Sequence, residues 1–185
     1  MEKSNIDKAC IFIDGSNLYH NLKKYRINIF IEDIIKILET KRKIINIFYY
    51  TALLDKEYNL NGYLEQKKFL DNIKKIPNLI IRYCNLRKII LKDNSISYSI
   101  KGDDVYLTTD LIKGAYENLY DTAIIVSGDE DFIPAIKVVQ NKGKIVINAY
   151  FPKSSSYLLR KYCNNSFNLK KKLSDSSNKR SPDMA

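Results

Sequence analysis

The sequence of 185 residues contains one histidine, His20, and three widely spaced cysteines, Cys10, Cys84 and Cys163. Zinc sites are built from clustered cysteines and histidines, so this spacing argues against a zinc site. A single histidine likewise argues against a histidine-based catalytic mechanism. Scattered cysteines, odd in number, do not form a disulfide framework, and we therefore expect reduced thiols and a cytoplasmic protein.

Long apolar stretches and nucleotide-binding loops are also missing. No run of about 18 apolar residues occurs, so the sequence predicts no transmembrane helix and no membrane partner. Residues 1–7 are charged and lead into a predicted strand, which is not the pattern of a signal peptide. The absence of a Gly-x-x-x-x-Gly-Lys motif argues against a P-loop and a nucleotide cofactor.

The composition is that of a globular protein with an excess of positive charge. Hydrophobic residues make up 45% and charged residues 28%, enough for a core and against wholesale disorder. The net charge of +10 favours a nucleic-acid partner without establishing one, because lysine is abundant throughout the chain. We predict one domain over residues 1–169 and a basic, disordered tail over residues 170–185.

Predicted strands alternate with predicted helices along the chain. This alternation predicts an α/β fold with a mostly parallel central sheet and helices on both faces. A hairpin is predicted around residues 92–94, either over a site or extending the sheet. The strands are predicted at residues 8–13, 44–52, 79–83, 122–127, 144–149 and 166–169, and the helices at 16–25, 31–38, 61–76, 102–119, 132–141 and 154–162.

Carboxylates follow two of these strands at the point where each strand ends. Asp14 follows the first, and Asp129, Glu130 and Asp131 follow the strand at residues 122–127. The carboxyl ends of parallel strands meet at one edge of a sheet, so these side chains are expected to converge. Helix capping explains part of the pattern, since Asp131 is placed like an N-cap, and the first helix could be capped at residue 16 or 17.

Three motifs together resemble the NYN domain, a family of the PIN-like nuclease superfamily that includes the bacterial LabA-like proteins. They are Asp14-Gly-Ser-Asn17, Lys101-Gly-Asp-Asp-Val105 with Asp110, and Ser127-Gly-Asp-Glu-Asp-Phe132, and the likeness covers roughly residues 7–150. The resemblance implies a PIN-like three-layer α/β/α sandwich and a metal-dependent ribonuclease. It implies that Asp14, Asp104, Asp129 and Asp131 surround divalent cations and that Asn17, Ser127 and Asp110 support them. The family usually has an apolar residue at position 103, so whether Asp103 or Asp104 faces the site stays open.

Carboxylates gathered at one edge need a counter-charge. At 4 Å each pair repels by about 4 kcal/mol at an effective dielectric constant near 20. Oxygen-only ligands favour Mg²⁺ or Mn²⁺, and such ions promote phosphodiester hydrolysis. In this hypothesis Asp14 and Asp129 are direct ligands, while Asp104 and Asp131 complete the cluster directly or through water. Whether one or two ions bind stays open.

The predicted partner is RNA, and a metal-dependent ribonuclease is the leading interpretation, with endonucleolytic or exonucleolytic cleavage left open. Tyrosines could stack on unpaired bases, although most are expected to serve packing. The alternative is a non-catalytic RNA-binding or regulatory adaptor that keeps the acidic pocket. A haloacid dehalogenase phosphatase would need a second aspartate at position 16, where Ser16 stands. A homodimer suits this fold type, but no residue indicates an interface. Basic residues that could line the RNA are Lys101, Lys23, Lys24, Arg26, Lys41, Arg42, Lys142 and Lys144.

Overall fold

A computed structural model describes residues 6–39 and 42–178 of the protein. The strands are β1 (Lys8–Asp14), β2 (Lys43–Thr51), β3 (Leu79–Tyr83), β4 (Asn85–Ile90), β5 (Ile96–Lys101), β6 (Thr122–Val126), β7 (Ile145–Tyr150) and β8 (Asn165–Asn168). The helices are α1 (Gly15–Lys24), α2 (Ile31–Glu39), α3 (Leu60–Ile73), α4 (Asp103–Tyr116), α5 (Ile133–Asn141), α6 (Tyr157–Tyr162) and α7 (Leu169–Asn178). The predicted strands and most predicted helices are thereby confirmed, with ends that shift by a few residues.

Six strands form one sheet in the order β3-β2-β1-β6-β7-β8, and every neighbouring pair in it is parallel. The chain builds outward from β1 in one direction and from β6 in the other. The strand order therefore reverses between β1 and β6, where Ile13 is paired with Val126. Ligand sites of open α/β sheets lie at such a reversal, beyond the carboxyl ends of the strands.

Alternate residues of the central strands point to two separate cores. Ile11 and Ile13 lie in one core, whereas Cys10 and Phe12 lie in the other. All four side chains are fully buried, as expected for a parallel sheet covered on both faces. The first core includes residues of α1, α2, α3 and α7, and the second includes residues of α4, α5 and α6. The three-layer α/β/α architecture expected from the sequence is confirmed.

The predicted hairpin forms as β4 and β5, an antiparallel pair separate from the main sheet. It connects β3 to α4 and does not extend the sheet edge. Tyr98 of β5 holds the hairpin on the loop after β2, because its hydroxyl donates to a carboxylate oxygen of Asp55 at 2.7 Å. Its ring also lies 5.2 Å from that of Tyr58.

Two helices bury faces that match the predicted ones only in part, since Ala115 is buried and Ile112 and Leu119 pack against the core as predicted. For α4 the sequence predicts a core stripe of Val105, Ile112, Ala115, Tyr116 and Leu119, but Val105 and Tyr116 are 66% and 57% exposed. The buried face of α4 consists of Leu107, Leu111, Gly114 and Ala115. In α3, Leu70 and Ile73 are buried as predicted, but Leu64 and Phe69 are 52% and 38% exposed. Both helices carry apolar residues on adjacent faces, so periodicity alone does not select the buried one.

The C-terminal region is also more ordered than predicted. α6 begins at Tyr157, since Ser156 rather than Ser154 accepts hydrogen bonds from the backbone N–H groups of residues 158 and 159. The prediction of a disordered tail is wrong for residues 170–178, which belong to α7. Leu169 and Leu173 are 0% and 3% exposed, and these residues, four apart on one face of the helix, pack α7 against the core. Lys41 and residues 179–185 lie outside the described residues, within which no helix is long and apolar enough to cross a membrane.

Candidate metal centre

Asp14 links the tips of the two central strands. One of its carboxylate oxygens accepts the backbone N–H of Asn17 at 2.9 Å, and the other accepts the hydroxyl of Ser127 at 2.9 Å. Asp14 is therefore the N-cap of α1, and the prediction that Ser16 or Asn17 caps this helix is wrong. A cap accepts hydrogen bonds two or three residues ahead, which the strand tip at Asp14 allows.

The turn after β6 aims its acidic side chains through local hydrogen bonds. The Ser127 hydroxyl oxygen accepts the Asp129 N–H at 3.2 Å, and an Asp129 carboxylate oxygen accepts the Asp131 N–H at 3.0 Å. Asp129, and not Asp131 as predicted, caps the short 3₁₀ turn Glu130–Phe132 that leads into α5. Pro134 stands at the start of α5 as expected. The exposed Asp131 side chain therefore turns toward the other acids without a capping role.

Asp104, Asp129 and Asp131 form the centre of the cluster. Each offers one carboxylate oxygen, and these three atoms all lie within 4.8 Å of one another. α4 begins at Asp103, so Asp104 reaches the cluster from the first turn of that helix. Asp104 therefore belongs to the three-acid cluster, and Asp103 lies close enough to raise the pKa of both Asp104 and Asp14. Asp14 is not one of these three, although it lies close enough to raise the pKa of Asp104.

The acids perturb one another strongly. Burial, followed by the charges of Asp103 and Asp129, raises the pKa of Asp104 to about 6. Burial also raises the pKa of Asp14, although the donors from Asn17 and Ser127 oppose this shift. Both effects disfavour the ionised form in the folded protein.

No ion pair among the described residues relieves this repulsion. None of the ion pairs within residues 6–39 and 42–178 includes an acid of the cluster. The three clustered donors are carboxylate oxygens, which suit hard divalent cations such as Mg²⁺ and Mn²⁺. The donor set and its uncompensated charge therefore fit the cation expected from the sequence.

Asn148 is a supporting residue that the sequence reasoning missed. It is fully buried in β7, and its amide nitrogen donates to the backbone oxygens of Ile125 at 3.2 Å and Ser127 at 2.9 Å. These bonds fix the tip of β6, from which the acidic turn departs. The available signal was one polar residue inside an apolar strand pattern, a position that normally requires hydrogen-bond partners.

Asn17 is held by a second buried asparagine. The amide nitrogen of Asn21, 3% exposed, donates to the side-chain oxygen of Asn17 at 3.0 Å. The Asn21 oxygen in turn accepts the hydroxyl of Ser154, from the loop before α6. Through these two hydrogen bonds, the orientation of the Asn17 carboxamide depends on the loop that follows β7.

Asp110, predicted as a supporting position, is a hydrogen-bond acceptor with partners on the sheet. It accepts the hydroxyl of Tyr50 at 3.0 Å and two guanidinium N–H groups of Arg82 at 2.9 and 3.2 Å. Tyr50 is 1% exposed, so this network fixes α4 over β2 and β3. Asp110 therefore holds the helix that carries Asp104 and is not one of the clustered acids.

The predicted basic rim is only partly near the acids. Lys101 is exposed at the end of β5, shortly before Asp103. Lys23, Lys24 and Arg26 lie at the far end of α1, about 15 Å along its axis from the cap. The remaining residues, Arg42, Lys142 and Lys144, precede strands or end a helix at the opposite edge of the sheet, where Arg42 pairs with Asp7 and Lys144 with Asp121.

A parallel α/β/α sandwich with acids at the strand-order reversal is consistent with a PIN-like fold. Domains of this class are generally nucleases and usually use divalent metal ions. A model of the NYN domain matches residues 8–170, and the chain therefore belongs to the NYN domain family of the PIN-like superfamily. No curated protein matches the sequence significantly.

One solved structure supports the fold. A protein of unknown function from Vibrio parahaemolyticus is similar with a TM-score of 0.67 and 23% identity, over 90% of this chain and 94% of that chain. A reductase domain of an aureusimine biosynthetic cluster is similar with a TM-score of only 0.30 and 10% identity, over 77% of this chain and 32% of that chain. The first similarity bears on the fold alone, and the second carries no structural conclusion.

Proposed function

We propose that the protein is a divalent-metal-dependent ribonuclease that hydrolyses RNA phosphodiester bonds at its acidic cluster. The observation that carries this proposal is the set of three carboxylate oxygens within 4.8 Å of one another in an NYN domain chain. The position of the cluster beyond β1 and β6 leaves it accessible from the carboxyl edge of the sheet. As part of the proposal we assign the protein to the LabA-like subgroup and to the cytoplasm, where its free cysteines would stay reduced.

In this proposal Asp104, Asp129 and Asp131 hold Mg²⁺ or Mn²⁺. A bound cation of this kind polarises a phosphate oxygen and lowers the pKa of a bound water. Asp14 completes the site from the β1 side, because each of its carboxylate oxygens retains a lone pair after accepting one hydrogen bond. The hydroxyl of Ser127 favours the ionised form of Asp14 by donating to it, and Asn17 orients water or phosphate with its carboxamide.

The basic residues supply attraction for the RNA backbone. The net charge of +10 opposes the local negative charge of the acids and raises the concentration of polyanions near the protein. Lys101 is proposed to contact a phosphate beside the cluster, and Lys23, Lys24 and Arg26 to contact the strand further away. Each such contact adds about −0.7 to the log–log salt dependence of single-strand binding.

The test is cleavage of labelled single-stranded, structured and transfer-like RNAs with Mg²⁺ or Mn²⁺, beside an EDTA control. Asp129→Asn removes one charge and keeps the cap, because asparagine is a good N-cap residue. Glu65→Gln is the matched control, since Glu65 is exposed on α3 outside the cluster. We expect cleavage that requires metal, persists in Glu65→Gln and is lost in Asp129→Asn.

Two other outcomes would overturn the proposal. Equal cleavage by wild type and Asp129→Asn would indicate a different site or a contaminating nuclease. RNA binding by the wild type without cleavage under any metal condition would favour the RNA-binding adaptor instead.

A further inference from the structure

The loop between β7 and α6 touches the acidic turn directly. We define the β7–α6 corner as residues 150–160. A side-chain carbon added to Gly128 would lie 1.8 Å from the backbone oxygen of Ser154, so only glycine permits this approach. The N–H of Ser156 donates to the Gly128 oxygen at 2.9 Å, and its hydroxyl donates to a Glu130 carboxylate oxygen at 2.5 Å. The corner is thus fixed to the turn that carries Asp129.

An exposed tyrosine begins the helix at this corner. Tyr157 is 67% exposed, whereas Leu159 of the same helix is fully buried and attaches α6 to the core. The tyrosine ring therefore does not serve core packing. It directly follows Ser156, whose two hydrogen bonds reach the acidic turn.

An arginine lies between this ring and a second one. The Arg160 guanidinium carbon is 4.8 Å from the centre of the Tyr150 ring and 6.0 Å from that of Tyr157. One guanidinium nitrogen donates to the Ser155 backbone oxygen at 2.7 Å, which limits the freedom of the side chain. Arg160 takes part in no ion pair with another described residue. It therefore presents a positioned positive charge with N–H donors to spare.

We propose that the β7–α6 corner is a base-stacking subsite for single-stranded RNA. Tyr157 stacks on an unpaired base beside the cleaved phosphodiester, and Arg160 contacts a flanking phosphate. The ligand class rests on the proposed function, because the corner adjoins the turn that carries Asp129. An exposed aromatic ring beside an unpaired arginine is the combination that binds single strands without reading their sequence. A base inside a duplex does not offer its face, so the subsite selects unpaired RNA.

The test compares two probes in the Asp129→Asn background with EDTA, in which the RNA stays intact. One probe is fluorescein-labelled dodecauridylate, and the other is the same backbone with abasic positions. Fluorescence anisotropy gives the dissociation constant of each. We expect Tyr157→Ala to weaken binding of dodecauridylate about tenfold, which corresponds to the stacking of one base. The dissociation constant of the abasic probe should change by less than about twofold. Tyr157→Phe keeps the ring and should retain the preference for the probe that carries bases.

Two further variants separate the contacts. Tyr116→Ala removes a tyrosine of similar exposure about 18 Å along α4 from Asp104, and should change neither dissociation constant. Arg160→Ala should weaken the binding of both probes alike. It should also reduce the log–log salt dependence of binding by about 0.7, as expected for one lost phosphate contact.

The proposal is overturned if Tyr157→Ala retains the preference for bases, or if dodecauridylate does not bind. Its outcome is separate from that of the nuclease. A Tyr157-dependent preference without cleavage by the wild type would support the subsite and contradict the ribonuclease. Cleavage by the wild type together with an unchanged preference for bases in Tyr157→Ala would support the ribonuclease and contradict the subsite.

Discussion

Asp104→Asn is expected to stabilise the metal-free protein at neutral pH. Folding raises the pKa of Asp104 from 3.8 to about 6, chiefly through burial and then through the neighbouring carboxylates. Between these two values the folded protein holds the proton more tightly than the unfolded chain does. The free energy of unfolding therefore falls as pH rises through this window, and the whole penalty remains above it. The neutral amide removes this penalty.

The size of the effect follows from the shift. A difference of about two pKa units corresponds to about 3 kcal/mol, which is an upper bound for this partly exposed side chain because water screens its charge. The charge is also favoured by about 0.3–1 kcal/mol at the start of a helix, and the substitution loses this contribution. We therefore expect a net gain of about 1 kcal/mol at neutral pH, or about 2–4 °C in melting temperature for a chain of this size.

The assay is thermal unfolding of the wild type, Asp104→Asn and the Glu65→Gln control in EDTA at pH 4.5 and pH 7.5. The variant should exceed the wild type in melting temperature at pH 7.5 by more than at pH 4.5, and the control should show no such difference. Added Mn²⁺ should stabilise the wild type more than the variant. An Asp104→Asn protein that is no more stable than the wild type at pH 7.5 would refute the reasoning about the cluster.

Three other substitutions test the surrounding structure. Ser127→Ala removes a donor that lowers the pKa of Asp14, so the acidic limb of the kcat/KM profile for RNA cleavage should move to higher pH; an unchanged limb would contradict this. Asp110→Ala leaves the buried Tyr50 hydroxyl without its acceptor and should lower the free energy of unfolding in urea by about 1–3 kcal/mol, whereas a loss within error would argue against the network. Gly128→Ala has no room for its added carbon, so it should lower both the melting temperature and cleavage, and wild-type values for both would disprove the close approach.

Much of the fold could be predicted because its strands are short apolar runs with clear ends. The third strand, Leu79–Tyr83, follows Pro77 and matches its predicted bounds. The convergence of the acids could be predicted as well, because parallel strand tips meet at one edge. The sequence does not show which of several neighbouring polar residues acts as a cap. Asp14 and Ser16 both suit an N-cap, and the backbone geometry at the strand end selects Asp14.

The features that could not be predicted from the sequence depend on long-range contacts. Asp110 of α4 pairs with Tyr50 of β2 and Arg82 of β3, and no local pattern encodes these contacts. The role of Asn148 depends on backbone oxygens more than 20 residues away in the chain. The helix α7 was missed because its lysines suggested a solvated tail, whereas burial of Leu169 and Leu173 decides its structure.

The most direct test of the account is whether cation binding and RNA cleavage disappear together. Calorimetric titration of Mn²⁺ and single-turnover cleavage of one single-stranded RNA would be measured on the same preparations of wild type, Asp129→Asn and Glu65→Gln. The account predicts that wild type and Glu65→Gln bind Mn²⁺ and cleave over the same concentration range, and that Asp129→Asn does neither. Cleavage without added cation in EDTA, or undiminished Mn²⁺ binding by Asp129→Asn, would contradict it.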